Sequence, residues 1–194
     1  MFLRIIRVLV AVLMVIAPSL PQKLSLPAIP SGQDLELDSR FELVWSDEFN
    51  GDKLDTSKWF YPWWETERKG GFWHEDLVSV KDGNLIITTA YFDEPLENYY
   101  YDKWHDTISF KEYKSGWYTG CIETRGKFEQ TYGYFECRCI LPKSTGMWSA
   151  FWMMNDGVSN VDGSGKDGTE VDVFESMYYK DAWWGAGDAV VSGI

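Results

Sequence analysis

Glu170, Asp172 and Glu175 stand among apolar strand formers in the run Gly168-Thr169-Glu170-Val171-Asp172-Val173-Phe174-Glu175-Ser176, and so much negative charge in such a setting calls for a chemical reason. Val171, Val173 and Phe174 suit a pleated, half-buried surface. A strand alternates its side chains between two faces, so Glu170 and Asp172 share one face. Glu175 falls on the opposite face unless one extra residue, in a β-bulge near Val173 and Phe174, restores the register. With that bulge, all three acids line one surface. Four strand steps of about 3.3 Å set the two glutamate backbones roughly 13 Å apart. Side chains leaning toward each other then approach the separation of about 5 to 5.5 Å at which one carboxylate attacks a glycosidic carbon while the other protonates the leaving oxygen. Asp172 between them adds like charge and a hydrogen-bond partner, which favours keeping one neighbour protonated as an acid.

The spacing alone leaves two other readings open. A solvated strand face can carry alternating acids with no further role. Carboxylates are also ligands for calcium and magnesium, but the flanking residues add no concentrated oxygen donors on the same strand, so a cation site ranks last.

Composition narrows the partners. The 194 residues carry a formal net charge of -12, which argues against nucleic acid and anionic membrane surfaces and favours a neutral partner. The chain is long enough to bury a large core. Aromatic residues make up 17%, with 11 Trp, and several lie in polar surroundings: Trp63, Trp64, Trp73, Trp104, Trp183 and Trp184. Trp offers a flat apolar face and one N–H donor, which suits the C–H face and hydroxyl rim of a sugar ring. About half of the Trp are expected in a core instead. Cys121, Cys137 and Cys139 form no metal-type pair, and their odd number leaves at least one thiol unpaired within the chain. A mutual Cys137–Cys139 disulfide is awkward on one strand face, whereas Cys121 on a neighbouring strand could reach either; the three are read mainly as core residues.

The elements that must position the acids are short strands. Apolar or aromatic runs recur at Phe41 to Ser46, Leu85 to Tyr91, Trp117 to Arg125, Tyr134 to Leu141, Ala150 to Met154, Glu170 to Ser176 and Ala189 to Ile194, with no long amphipathic helix. Turn signals separate them at Asn50-Gly51, Asp82-Gly83, Tyr132-Gly133 and the loop Asn155 to Gly168. Short strands in this spacing predict an all-β, antiparallel β-sandwich or barrel. Phe92 to Ser115 is expected to be a surface loop or insertion. Residues 1–20 read as an export signal, with Arg4 and Arg7 before the apolar run Val8 to Ala17, too short to span a bilayer comfortably. Residues 21–39 read as a Pro-rich linker, leaving 40–194 as the functional domain. Ending on an apolar strand at Ile194, that domain is expected to be truncated on its C-terminal side.

Taken together, these motifs resemble glycoside hydrolase family 16, the laminarinase and β-agarase group. The likeness begins at Leu43-Val44-Trp45-Ser46-Asp47-Glu48-Phe49-Asn50-Gly51, followed by Lys58-Trp59, and continues through Asp82-Gly83-Asn84-Leu85-Ile86-Ile87 and Tyr132-Gly133-Tyr134-Phe135-Glu136. It ends with Gly146-Met147-Trp148-Ser149-Ala150-Phe151-Trp152-Met153-Met154 and the Glu170-to-Glu175 run; Ser149 stands where many members have Pro. The resemblance implies a concanavalin A-like jelly roll, with Glu170 as nucleophile, Asp172 as its electrostatic helper and Glu175 as acid/base. Trp148 and Trp152 match positions that line sugar subsites, with Phe151 and Met153 turned to the core. It implies no cofactor and no catalytic metal, although some relatives carry a structural calcium. The expected protein is a secreted monomer acting on a β-1,3- or mixed-linkage glucan, free of the membrane once the signal is removed. The rivals are a galactan hydrolase of the β-agarase or carrageenase type, a transglycosylase, and a β-glucan-binding module that does not cleave.

Overall fold

The computed structural model describes residues 3–8, 41–62, 67–68, 70–96, 98–102, 107–111, 114–155, 168, 170–177 and 190–193. These form fourteen strands and one short 3-10 turn, Glu75–Leu77. The strands are β1 (Leu3–Val8), β2 (Phe41–Asp47), β3 (Glu67–Arg68), β4 (Gly71–Trp73), β5 (Val78–Lys81), β6 (Asn84–Ile87) and β7 (Thr89–Phe92). They continue as β8 (Asn98–Asp102), β9 (Thr107–Lys111), β10 (Gly116–Thr119), β11 (Tyr134–Cys137), β12 (Trp148–Met154), β13 (Glu170–Met177) and β14 (Val190–Gly193). The chain is all-β, as expected. Most pairings are antiparallel; β1 runs parallel to both β2 and β11, and β10 parallel to β4.

The chain divides into two compact units, 1–140 and 141–194. The first holds a three-stranded sheet β11-β1-β2, a four-stranded sheet β3-β4-β10-β7 and the hairpins β5-β6 and β8-β9. Its buried cluster is Phe72, Leu77 and Tyr118, with Phe92 and Leu96 packed on it. The fully buried Tyr118 keeps its hydroxyl satisfied: it donates to the Lys114 carbonyl at 2.8 Å and accepts from the Leu96 N–H at 3.3 Å. Burial pushes that phenol above its usual range. The β5-β6 hairpin turns on Asp82-Gly83, both at positive φ (51° and 73°), the backbone a two-residue I′ turn requires and the reason glycine stands second.

A second knot forms where the first motif folds back. Asp47 at the end of β2 is buried and takes the Trp59 Nε1–H at 2.7 Å on one oxygen and the Phe49 N–H at 2.9 Å on the other. Trp59 packs against Trp45 edge-on and Phe49 face-on, and Trp45 stacks on Phe128. Lys58 reaches the Ser46 carbonyl at 2.8 Å and lies 3.8 Å from Asp47. The first motif therefore builds an anchor for β2.

Several expected boundaries move. The run Leu85 to Tyr91 is two strands, β6 and β7, parted at Thr88, and Trp117 to Arg125 is a strand only to Thr119. Beyond it, Glu123 makes an isolated bridge to Phe60. The span Phe92 to Ser115, expected as a loop, contains the β8-β9 hairpin, because Tyr99, Tyr100 and Tyr101 favour a strand despite the polar residues around them. The cysteines are also corrected. None of the three is in a disulfide and all are half-buried, with Cys121 just past β10 and Cys139 just past β11, neither on a strand. Cys137 and Cys139 meet through a hydrogen bond that lowers the Cys139 thiol against the opposing effect of burial. Of the six Trp residues noted for their polar surroundings, Trp73 lies within the described residues, and it is half-buried. Trp63, Trp64, Trp104, Trp183 and Trp184 lie outside them, as do most of the proposed signal and the linker. No helix among the described residues is long and apolar enough to cross a membrane.

Candidate active site

The second unit is built on the sheet β12-β13-β14. Its geometry follows from one irregularity. Between β12 and β13 the pairing runs Trp148 with Met177, Ser149 with Ser176, Ala150 with Glu175 and Phe151 with Phe174. It then skips, resuming with Trp152 opposite Asp172, Met153 opposite Val171 and Met154 opposite Glu170. Val173 is the extra residue. On the far side, β14 shows the same break between Asp172 and Glu175. The bulge therefore lies at Val173 and Phe174, where the spacing of the acids required it.

Its consequence is a sorting of side chains. The unbroken β12 alternates, so Trp148, Ala150, Trp152 and Met154 share one face. Because cross-strand partners lie on the same face, Glu175, Asp172 and Glu170 join them there. The opposite face holds Ser149, Phe151, Met153, Val171, Phe174 and Ser176. Ser149 and Ser176 are buried, and the Phe151 and Phe174 rings lie 6.2 Å apart between centroids. Exposure follows the sorting: Glu170, Ala150 and Trp148 are exposed, and Asp172, Glu175, Trp152 and Met154 are half-buried. The sheet thus turns a mostly apolar face one way and a carboxylate-and-indole face the other.

One contact on that face is a direct bond. Trp148 donates its Nε1–H to Oε1 of Glu175 at 2.8 Å. The two residues are diagonal neighbours, a spacing that aromatic side chains can span. Ala150, directly opposite Glu175, has only a methyl group to place in the path of the indole. At the other end, Gly168 fixes how the chain enters β13. Its φ is +115°, and a Cβ there would lie 2.7 Å from the Asn155 side chain, so only glycine lets the segment before Glu170 pass the residue that follows β12.

All five residues singled out from the sequence, Glu170, Asp172, Glu175, Trp148 and Trp152, come together on this face. Sequence reasoning did not single out Ala150 and Met154 as the partners of Glu175 and Glu170, nor Gly168 as the entry point. The signal for the first two was there, in the period of two along Trp148–Met154 combined with the bulge. Among the described residues, no group of three His, Cys, Asp or Glu is arranged to hold a metal ion.

Two acids flanking a third on a strand face that carries two indoles, in an all-β chain, make an arrangement that suits a carbohydrate-active hydrolase. Residues 42–189 match the family model described as the GH16 domain of β-porphyranases A to D. A β-glucanase of Rhodothermus marinus is 31% identical over 142 residues, 71% of this chain and 44% of the relative. Glucan endo-1,3-β-glucosidase A1 of Niallia circulans is 31% identical over 147 residues, covering 69% and 20% respectively. β-Porphyranase B of Zobellia galactanivorans is 35% identical over 134 residues, covering 68% and 40%. The chain belongs to glycoside hydrolase family 16, and its all-β, mostly antiparallel make-up is consistent with the family's jelly-roll β-sandwich. It spans less than half the length of these curated relatives. No solved structure matches it.

Proposed function

We propose that the chain is the catalytic domain of a secreted, monomeric, retaining endo-β-glycanase that cuts a β-1,3- or mixed-linkage glucan. The reading rests on the bulge register that sets Glu170, Asp172 and Glu175 on one face with Trp148 and Trp152. Glu170 attacks the anomeric carbon while Glu175 protonates the departing glycosidic oxygen, and a glycosyl ester forms on Glu170. Glu175, now ionised, takes a proton from the incoming water, which releases the sugar with its configuration retained. Asp172 supports the charge on Glu170, and the two indoles receive sugar faces. No metal or cofactor takes part in this scheme, and any calcium is structural. Residues 1–20 act as the export signal and 21–39 as a linker; β1 lies within that signal, so its pairing with β2 and β11 belongs to the uncleaved chain.

A galactan hydrolase is the second reading, favoured by the porphyranase description of the matching family model and by the 35% identity to β-porphyranase B. The net charge of -12 counts against a sulfated galactan at long range. Loops outside the strand face decide between them. The test is reducing-sugar release from laminarin, lichenan, porphyran and agarose by the folded protein. Release from laminarin or lichenan is expected; release from porphyran alone replaces the glucan with the galactan; release from none rejects the hydrolase.

A further inference from the structure

We infer that Trp148 is a positioning residue for the acid/base: its indole N–H pins Oε1 of Glu175 as an acceptor, so that Oε2 carries the proton moved in both halves of the reaction. The inference rests on the reading of Glu175 given above. Its observation is the 2.8 Å bond from Trp148 Nε1 to Glu175 Oε1 across the space that Ala150 leaves open.

The chemistry follows from the inventory of the two groups. An indole nitrogen can only donate. A protonated carboxyl has one O–H and one carbonyl oxygen, and the carbonyl oxygen is the better acceptor for a fixed N–H. With Oε1 held in that role, the acidic proton resides on Oε2. In the first half-reaction, the Oε2 proton passes to the glycosidic oxygen as that oxygen takes the electron pair of the breaking C–O bond, and a Glu170 oxygen bonds to the anomeric carbon. In the second, Oε2 takes a proton from water as the water oxygen bonds to that carbon and the ester electron pair returns to Glu170. The N–H stays on Oε1 throughout and grips harder when the carboxyl is ionised, because charge-assisted hydrogen bonds are roughly twice as strong. Burial does not account for the bond, since Trp148 is 41% exposed.

The test separates this from sugar stacking. Trp148→Phe keeps an aromatic ring and removes the donor. It is compared with wild type and Glu175→Gln in the full-length protein, on laminarin and on dinitrophenyl β-laminaribioside, whose phenolate leaves without a proton. Porphyran and the corresponding glycoside of its disaccharide serve if the galactan is the substrate. For Trp148→Phe, kcat/KM on the polysaccharide should fall about tenfold to a hundredfold, the effect of one hydrogen bond to a charged group. On the aryl glycoside it should fall by less than about threefold. Ala150→Val, which keeps the indole but crowds its path, should give the same pattern. Equal losses on both substrates, or none on either, overturn the inference. If Glu175→Gln itself loses equally on both, the acid/base reading fails; if Glu175→Gln shows the leaving-group dependence and Trp148→Phe does not, only the inference fails.

Discussion

Among the described residues, Trp59 bonds to Asp47 at 2.7 Å and Trp148 to Glu175 at 2.8 Å, two indole–carboxylate pairs of nearly equal length. Their settings differ. Asp47 is 7% and Trp59 6% exposed, with the second Asp47 oxygen taken by a backbone N–H. Both groups have left water, so each needs the other, and the bond serves the fold. Trp148 is 41% exposed, on a strand face that also carries two further acids. A bond that solvent could replace adds little to stability, and acids gathered on an open face repel one another. On the reading proposed above, the same chemical pair serves the fold in the first unit and the reaction in the second, and burial tells the two apart.

Variants that separate stability from turnover sharpen the comparison. Glu170→Gln and Glu175→Gln should each lower turnover by about a thousandfold or more, the usual reach of a lost nucleophile or acid. Thermal unfolding should not change, and a shared loss of fold and activity would place these acids with Asp47. Asp47→Ala strands two buried donors, and should cost about 2 to 4 kcal/mol in denaturant unfolding. A cost under about 0.5 kcal/mol would break the structural side. Gly168→Ala forces a side chain into positive φ and onto Asn155, at roughly 1 to 3 kcal/mol. Trp148→Phe should stay within about 0.5 kcal/mol of the parent, as exposed positions do.

The smallest effect lies at Asp55, an exposed carboxylate held below its usual value of 3.8 by the Ser57 hydroxyl at 2.6 Å and the Ser57 N–H at 2.9 Å. A carboxyl depressed in the fold contributes stability above its unfolded value and loses it as pH falls through the folded one. Ser57→Ala should move its NMR titration midpoint up toward 3.8, and an unmoved midpoint would remove the hydroxyl as the cause.

What was legible in the sequence follows a physical division. The bulge at Val173 and Phe174 could be inferred because Glu170 and Glu175, five residues apart, can share a face with Asp172 only if one extra residue lies between Asp172 and Glu175. The sorting of Trp148 and Trp152 from Phe151 and Met153 followed from strand alternation. Strand ends were less readable: Trp117 continues as a strand only to Thr119, because pairing partners and not local propensity decide where a ladder stops. The β8-β9 hairpin escaped notice because polar residues masked three adjacent tyrosines. The Trp148–Glu175 bond was beyond the sequence, since it depends on a diagonal reach that only the register of both strands defines.

The central claim is that the bulged face carries a nucleophile and an acid of a retaining glycosidase. Its most direct test is trapping with a fluorinated, activated β-glycoside of the disaccharide that the protein releases, followed by peptide mass spectrometry. The account predicts one glycosyl group on the peptide containing Glu170, attached at that side chain. A label on another residue, or turnover with inversion and no trapped ester, would contradict it.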